Sequence, residues 1–344
     1  MQKITIVVDA MGGDFAPLND VSGAIIAAEE NPQSLEIILT GKEDLIKQEL
    51  HKHKVALPNI QIVNATEVVS MDDSPTESLK TKPDSSLSIG IKLVREGKAD
   101  AFVSAGNTGA VMAAATLRLG RIEGVGRPTI GSLFPTDKGR TMVFDVGASV
   151  DCKAQHLVEF ATMGSIYVRN IYGVENPKVA LLSVGEEKSK GNGVTIEAHE
   201  LLEKSQLNFS GNVEGRDILN GKVDIVVCDG YTGNVVLKFA ESVLELMKNK
   251  FRTYASKGIL KKIWVGMMYG TLKNVILKDF DYQEYGGVPL LGVNGVVIIG
   301  HGKSSPVAIR NMILKAEEMI RKDVNGKIKR ELSRKDDFSV SEQL

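Results

Sequence analysis

Cysteine is nearly absent: Cys152 and Cys228 are the only two in 344 residues, and no CxxC spacing occurs. That excludes a disulfide scaffold and a zinc ribbon and points to a reducing compartment. Charge of one sign is lacking as well, because 42 Lys and Arg face 43 Asp and Glu for a formal net charge of -1. No global field therefore draws nucleic acid or an acidic polymer, and any electrostatic targeting must be local. No uninterrupted apolar run reaches the roughly 18 residues of a membrane span. The amino terminus enters strand-like sequence at once, with no room for the apolar core and cleavage site of a signal peptide. The expectation is a cytoplasmic protein that at most rests on a membrane.

What is present is globular: 43% hydrophobic and 25% charged residues, with 34 glycines. The length suits one α/β domain of two joined lobes, expected over residues 1–324. Short β-branched runs recur at 4–8, 35–39, 60–63, 101–104, 142–144, 179–183, 224–227 and 296–299. Amphipathic stretches at 86–95, 108–119, 156–171 and 196–204 lie between them. This alternation predicts a doubly wound, three-layer α/β/α fold with a largely parallel sheet. From Asn325 the chain turns polar and reads as a frayed helix and tail, 325–344.

In such sheets ligands bind beyond the carboxyl ends of the strands. Four loops there are rich in glycine: Asp9-Ala-Met-Gly-Gly-Asp14, Ser104-Ala-Gly-Asn-Thr-Gly109, the charged segment 185–192, and Asp229-Gly-Tyr-Thr-Gly-Asn234. The second opens a helix, so its backbone N–H groups and helix dipole suit phosphate, with Ser104, Gly106, Asn107, Thr108 and Gly109 around it. It equally reads as a tight turn with a capped helix. Neither a P-loop lysine nor a dinucleotide fingerprint is present there, which favours phosphate without a nucleoside. In 185–192, Lys190 could hold phosphate or offset an oxyanion, with Gly185, Glu186 and Asn192 beside it; a charged loop is more often a solvated face. Asn234 and Lys238 begin a helix on one face, where capping is the plainer role for Asn234.

The histidines are mostly plain. His51 and His53 read as surface residues, and His156 and His199 as ordinary helix positions. His301 follows an apolar strand at a site edge, where packing or capping is the alternative. Asp9 and Asp14 could face a cation but more often cap backbone N–H groups. No metal or cofactor is expected.

These strings, with Asp145-Val-Gly-Ala148, Met163-Gly-Ser-Ile-Tyr167, Tyr285-Gly-Gly-Val-Pro-Leu-Leu-Gly292 and His301-Gly302, run in order across about residues 4–320. In them the chain resembles the fatty acid/phospholipid synthesis phosphate acyltransferase family. The resemblance implies a fold related to isocitrate dehydrogenases and phosphate acetyltransferases, and a homodimer. It also implies an enzyme that converts acyl-acyl carrier protein and inorganic phosphate to acyl-phosphate and free carrier protein, with Lys190 and Asn234 as catalytic pair. Asp229, Gly230, Thr232, Gly233 and His301 are expected among its substrate contacts. Attack by a phosphate dianion needs positioning and charge stabilisation rather than a strong base. A ping-pong route through Cys152 or Cys228 is the chemical rival. A nicotinamide-dependent β-decarboxylating dehydrogenase would need an acid cluster and substrate arginines that cannot be assembled here. A non-enzymatic membrane-docked scaffold would leave the glycine loops without purpose.

From 246 to 278 there are eight lysines or arginines and no acid. Within that stretch Ile259, Leu260, Ile263, Trp264, Met267 and Met268 recur at helical spacing beside Lys257, Lys261 and Lys262. A projecting amphipathic helical segment at 240–280 is therefore expected, resting on an anionic membrane, guiding the acidic carrier protein, or packing in a dimer interface. A membrane contact would place the product near the downstream glycerol-3-phosphate acyltransferase.

Overall fold

The computed structural model describes residues 3–53, 57–271 and 286–341. Lys273, Lys278 and Tyr285, used in the sequence reading, lie outside the described residues, as does the side chain of Met268.

The strands are β1 (Ile4–Asp9), β2 (Leu35–Gly41), β3 (Ile60–Asn64), β4 (Ala101–Ser104), β5 (Thr129–Thr136), β6 (Gly139–Phe144), β7 (Val179–Leu182), β8 (Phe209–Val213), β9 (Ile225–Val227), β10 (Val288–Leu291) and β11 (Val296–Ile299). Among the described residues they form one sheet in the order β3-β2-β1-β4-β11-β10-β5-β6-β9-β7-β8. Two parallel halves, β3-β2-β1-β4-β11 and β6-β9-β7-β8, flank β10 and β5. The pairs β11–β10, β10–β5 and β5–β6 are all antiparallel, so the two parallel halves run in opposite senses. The sheet is thus less uniformly parallel than the sequence suggests.

Alternation along the strands builds two cores. Ile4, Ile6, Val8, Ala101, Val103, Phe144, Leu181 and Val227 face one side, where they pack with α1 (Leu18–Glu30), α6 (Ala154–Tyr172), α7 (Gly193–Glu203), α10 (Pro306–Arg321) and α11 (Val324–Ser341). Val7, Phe102, Val143, Ala180, Val226 and Val297 face the other, under α4 (Ser86–Arg95), α5 (Thr108–Ala114) and the root of α8 (Gly230–Ala255). Strands buried on both faces read as continuous apolar runs, and covering both faces gives the three layers.

The carboxyl-terminal segment departs from the expected frayed tail. Val324, Ile328 and Leu332 of α11 are buried in the first core. Three apolar residues at fourfold spacing make one narrow seam, enough to dock a helix whose overall composition is polar.

Beyond its root, α8 leaves the body, and it packs with α9 (Ile259–Thr271). Its buried residues are Gly230 and Gly233, while Val235, Phe239, Leu246, Leu260, Trp264 and Met267 are exposed.

Candidate functional site

In the first half, three loops meet beyond β1, β4 and β11. The Gly300 amide donates to Ser104 O at 2.8 Å and that of Asp14 to Gly302 O at 2.8 Å. Ser104 Oγ donates to Asp9 Oδ2 at 2.9 Å and accepts from the Gly106 amide at 3.0 Å. The fit is tight: a Cβ on Gly12 would stand 2.9 Å from Asp9 Oδ2, the Gly106 amide and Ser104 Oγ. Asn107 caps α5 through the Ala110 amide (3.0 Å) and donates to the carbonyls of Ser70, Met71 and Asp73 at 3.1–3.2 Å. Thr108 opens α5, Gly109 packs against Pro75, and exposed His301 accepts from the Lys303 amide at 3.1 Å.

This end of the sheet is acidic. Burial raises the Asp9 carboxyl above its ordinary value. Burial, and then repulsion from Asp9, pushes Asp20 up to about 8. Asp20 Oδ2 is buried with no hydrogen-bond partner. Desolvation without a counter-charge favours the neutral acid.

The second half has the same strand–loop–helix order but a different outcome. Loops 145–149 and 228–230 interlock through Asp145 N→Cys228 O (3.0 Å) and Gly230 N→Ser149 O (2.8 Å). Buried Asp145 accepts from the amides of Ile130, Gly147, Ala148 and Ser149 at 2.7–3.2 Å. Burial still outweighs those donors and raises it to about 6. Asp229 caps α8 through the Thr232 amide at 2.8 Å, and Asn192 caps α7 through the Thr195 amide at 2.9 Å.

Between these helix starts lies a cavity of about 740 Å³, lined among others by Ser183, Asn192, Thr195, Asp229 and Thr232. Two helix N-termini therefore open on one space, each with a positive dipole end, although in α8 the Gly230 and Thr232 amides are already bonded to Ser149 O and Asp229. None of residues 104–109 lines it.

Neither Lys190 nor Asn234 lines this cavity: Lys190 lies in the loop before α7, next to the lining residues Gly191 and Asn192, and Asn234 lies in α8, two residues after Thr232. Lys190 O accepts from Ser183 Oγ at 3.0 Å, and Gly191 follows with φ +118°, a turn that L side chains rarely make. A Cβ on Gly185 would reach Lys190 Cγ at 3.0 Å. Lys188 pairs with Glu203, and Lys222 pairs with Asp217 and reaches Glu186 at 4.0 Å. Among the described residues Lys190 makes no ion pair, so its charge is available to a ligand. Asn234 sits on α8 beside Gly147, because Gly233 lets the helix approach so closely that a Cβ there would stand 1.8 Å from Asp145 O.

Both thiols line the cavity, and neither is activated. Burial drives Cys228 well above the ordinary thiol value and Cys152 up to about 11. Their Sγ atoms contact Asp145 O at 3.5 Å and Ser149 O at 3.4 Å, and no histidine lines the cavity. A thiolate nucleophile is disfavoured. The sequence reading did not single out Ser183, Thr195 or the apolar walls; Thr195, three residues after Asn192, carried a capping-type signal. Among the described residues no three His, Cys, Asp or Glu gather as a metal site, and no helix is long and apolar enough to cross a membrane.

Residues 4–327 match the family described as fatty acid synthesis protein. The chain is 47% identical over 331 residues to the phosphate acyltransferase of Halothermothrix orenii, covering 96% of this chain and 98% of that one. It is 47% identical over 323 residues to the phosphate acyltransferase of Geobacter sulfurreducens, covering 94% and 92%. Its fold is that of a phosphotransacetylase from Streptococcus pyogenes, at TM-score 0.60 and 20% identity over 93% of this chain and 94% of that one. A branched-chain phosphotransacylase from Enterococcus faecalis matches at TM-score 0.54 and 13% identity, covering 92% and 99%.

Proposed function

The chain belongs to the fatty acid synthesis protein family and is an acyltransferase, and on that premise we propose that it converts acyl-acyl carrier protein and inorganic phosphate to acyl-phosphate and free carrier protein for phospholipid synthesis. The observation that carries this reading is the convergence of the α7 and α8 N-termini on one cavity, with the unpaired Lys190 in the loop that leads into α7. Backbone donors, dipole ends and one ammonium suit a phosphate dianion.

The phosphate sits at these helix starts rather than on the 104–109 loop. There the side chains of Ser104 and Asn107 are committed to internal bonds, and none of residues 104–109 lines the cavity. A phosphate oxygen attacks the thioester carbonyl, Lys190 offsets the accumulating charge, and Asn234 donates to the oxyanion. The C–S bond then breaks, and the carrier thiolate takes up the proton given up by phosphate. The test is to incubate the purified protein with acyl-acyl carrier protein and phosphate. Acyl-phosphate and released carrier are expected in equal amounts, and their absence with every acyl donor would remove the proposal.

The same reading includes a homodimer and peripheral attachment of a cytoplasmic protein to an anionic membrane near the downstream glycerol-3-phosphate acyltransferase. Its support is the exposure of Leu260, Trp264 and Met267 on α9, beside Lys257, Lys261 and Lys262. The same basic surface suits an acidic carrier protein. Trp264→Glu with Lys261→Glu should weaken binding to anionic liposomes; unchanged binding would assign the stripe to protein packing.

A further inference from the structure

The cavity lining is of two kinds, polar at the helix caps and apolar elsewhere. Away from the caps its floor is hydrocarbon and sulfur: Leu157, Leu181 and Cys228 are buried there, with Leu182, Val194 and Val236 above them. At its rim stand Val150, Val184 and Tyr231, which are 63%, 80% and 65% exposed. Clustered apolar side chains left in water at the mouth of an apolar floor mark a surface that a ligand covers. A lining that is part polar cap and part apolar wall matches the polarity of a fatty acyl-phosphate.

We propose that this apolar floor holds the acyl tail of the donor, and that Val194 and Val236 limit the chain length it accepts. The proposal rests on the acyl-phosphate reading above and adds the path of the tail to it. The size fits. At about 30 Å³ per water-sized group, a space of about 740 Å³ holds on the order of two dozen such groups. A long fatty acyl chain and its phosphate fall within that number. Val194 lies in the first turn of α7 and Val236 in the second turn of α8, so the helices that present N–H groups to the phosphate also present side chains to the tail. Cys152 and Cys228 then serve as wall, a role that apolar sulfur suits.

Two measurements test this. In the first, kcat/KM is compared for long-chain and short-chain acyl donors in Val236→Trp and Val194→Trp. Each methylene kept out of an apolar wall costs about fourfold, so a ring that displaces two or more lowers the long-to-short ratio by at least about tenfold. The second uses the unaltered chain. Cys152 is half-buried in the cavity wall and Cys228 is buried in its floor. Alkylation of Cys152 by N-ethylmaleimide is followed by mass spectrometry with palmitoyl phosphonate, the carbon-linked analogue of the product, or with acetylphosphonate. Palmitoyl phosphonate at ten times its Kd should slow labelling about tenfold, and acetylphosphonate should slow it far less.

Equal labelling with both analogues, together with an unchanged donor ratio, overturns the tail assignment. So does labelling that responds to protein concentration but not to the long analogue, which would make the groove a contact between copies. Protection needs no turnover, so the two readings fail separately. A chain protected by the long analogue that makes no acyl-phosphate keeps the tail site and loses the reaction.

Discussion

At 104–109 a strand ends, a glycine-rich loop turns and an Asn-capped helix begins; at 228–234 the same events follow, with an Asp cap. Written as sequence, the two are close to interchangeable. In the structure the first is closed: Ser104 is bonded to Asp9, Asn107 reaches into the segment around residues 70–73, and a neutral acid, Asp20, lies beneath. The second is open, because α7 and α8 start on the two sides of one cavity and Lys190 makes no ion pair among the described residues. Glycine lets backbone approach a ligand, but the bonds that already occupy the loop and the space in front of it decide whether an anion can come.

The largest effect expected from this contrast is on pH dependence. Asp20 goes from an ordinary value of 3.8 to about 8, which corresponds to on the order of 5 kcal/mol. The folded state holds the proton more tightly than the unfolded one. Its stabilising contribution is therefore full below about pH 4 and is lost as pH rises toward 8. Asp20→Asn keeps a neutral side chain at every pH and should flatten that decline, so the variant gains on the native chain between pH 5 and pH 8. Urea unfolding at the two pH values measures this; parallel slopes would mean that the acid is not held neutral. Asp145→Asn should instead destabilise throughout, since Asp145 accepts from four backbone amides.

The next effect concerns backbone approach. Gly233→Ala would set a Cβ 1.8 Å from Asp145 O, so α8 must retreat and carry Asn234 with it. Overpacking against backbone costs about 3 kcal/mol, and turnover should fall with it. Gly12→Ala meets its neighbours at 2.9 Å and should cost stability with a smaller loss of turnover. Thermal unfolding and kcat/KM on both variants separate the two ends; equal losses of activity would erase the contrast.

Much of this architecture is legible in the sequence, because buried parallel strands are short β-branched runs and the helices between them have an apolar seam. The strands that escape it are β5, β8 and β10, which contain Gly131 and Pro135, Gly211, and Pro289. Those residues normally break strands. Gly131 has a tertiary reason for its place: a Cβ there would stand 2.0 Å from the Phe144 ring on the paired strand. No local pattern announces such a contact. The site is legible in a similar proportion. Glycine loops locate strand ends, and resemblance singles out Lys190 and Asn234. The cavity walls, Val194 and Val236 among them, look like any helix positions until the two helices are seen to face one space.

Loss of the two chemical groups should come next in size. Lys190→Ala and Asn234→Ala should each lower kcat on the order of a hundredfold, about 2.7 kcal/mol, with unfolding midpoints close to the native one. Ser104→Ala, which removes the donor to Asp9, should mainly affect stability. Turnover by Lys190→Ala and Asn234→Ala near the native level would move the chemistry away from the second half, and a hundredfold loss in Ser104→Ala would move it to the first.

The smallest effect is the most discriminating, because it makes one chemical change at both ends. Asn107 and Asn192 are both N-caps whose side-chain oxygen accepts from the amide three residues on, at 3.0 and 2.9 Å. Replacing either by Ala removes about 1 kcal/mol of capping. Asn107 also ties down the segment around residues 70–73, so its loss should cost the fold somewhat more. Activity should order the variants the other way. The α7 start faces the cavity, and if phosphate binds there as proposed, letting its first turn fray displaces backbone donors from it and lowers kcat/KM on the order of tenfold. Fraying of α5 leaves the second half untouched. A raised KM for phosphate in Asn192→Ala alone would place the anion at α7, whereas the same rise in Asn107→Ala alone would return it to the 104–109 loop.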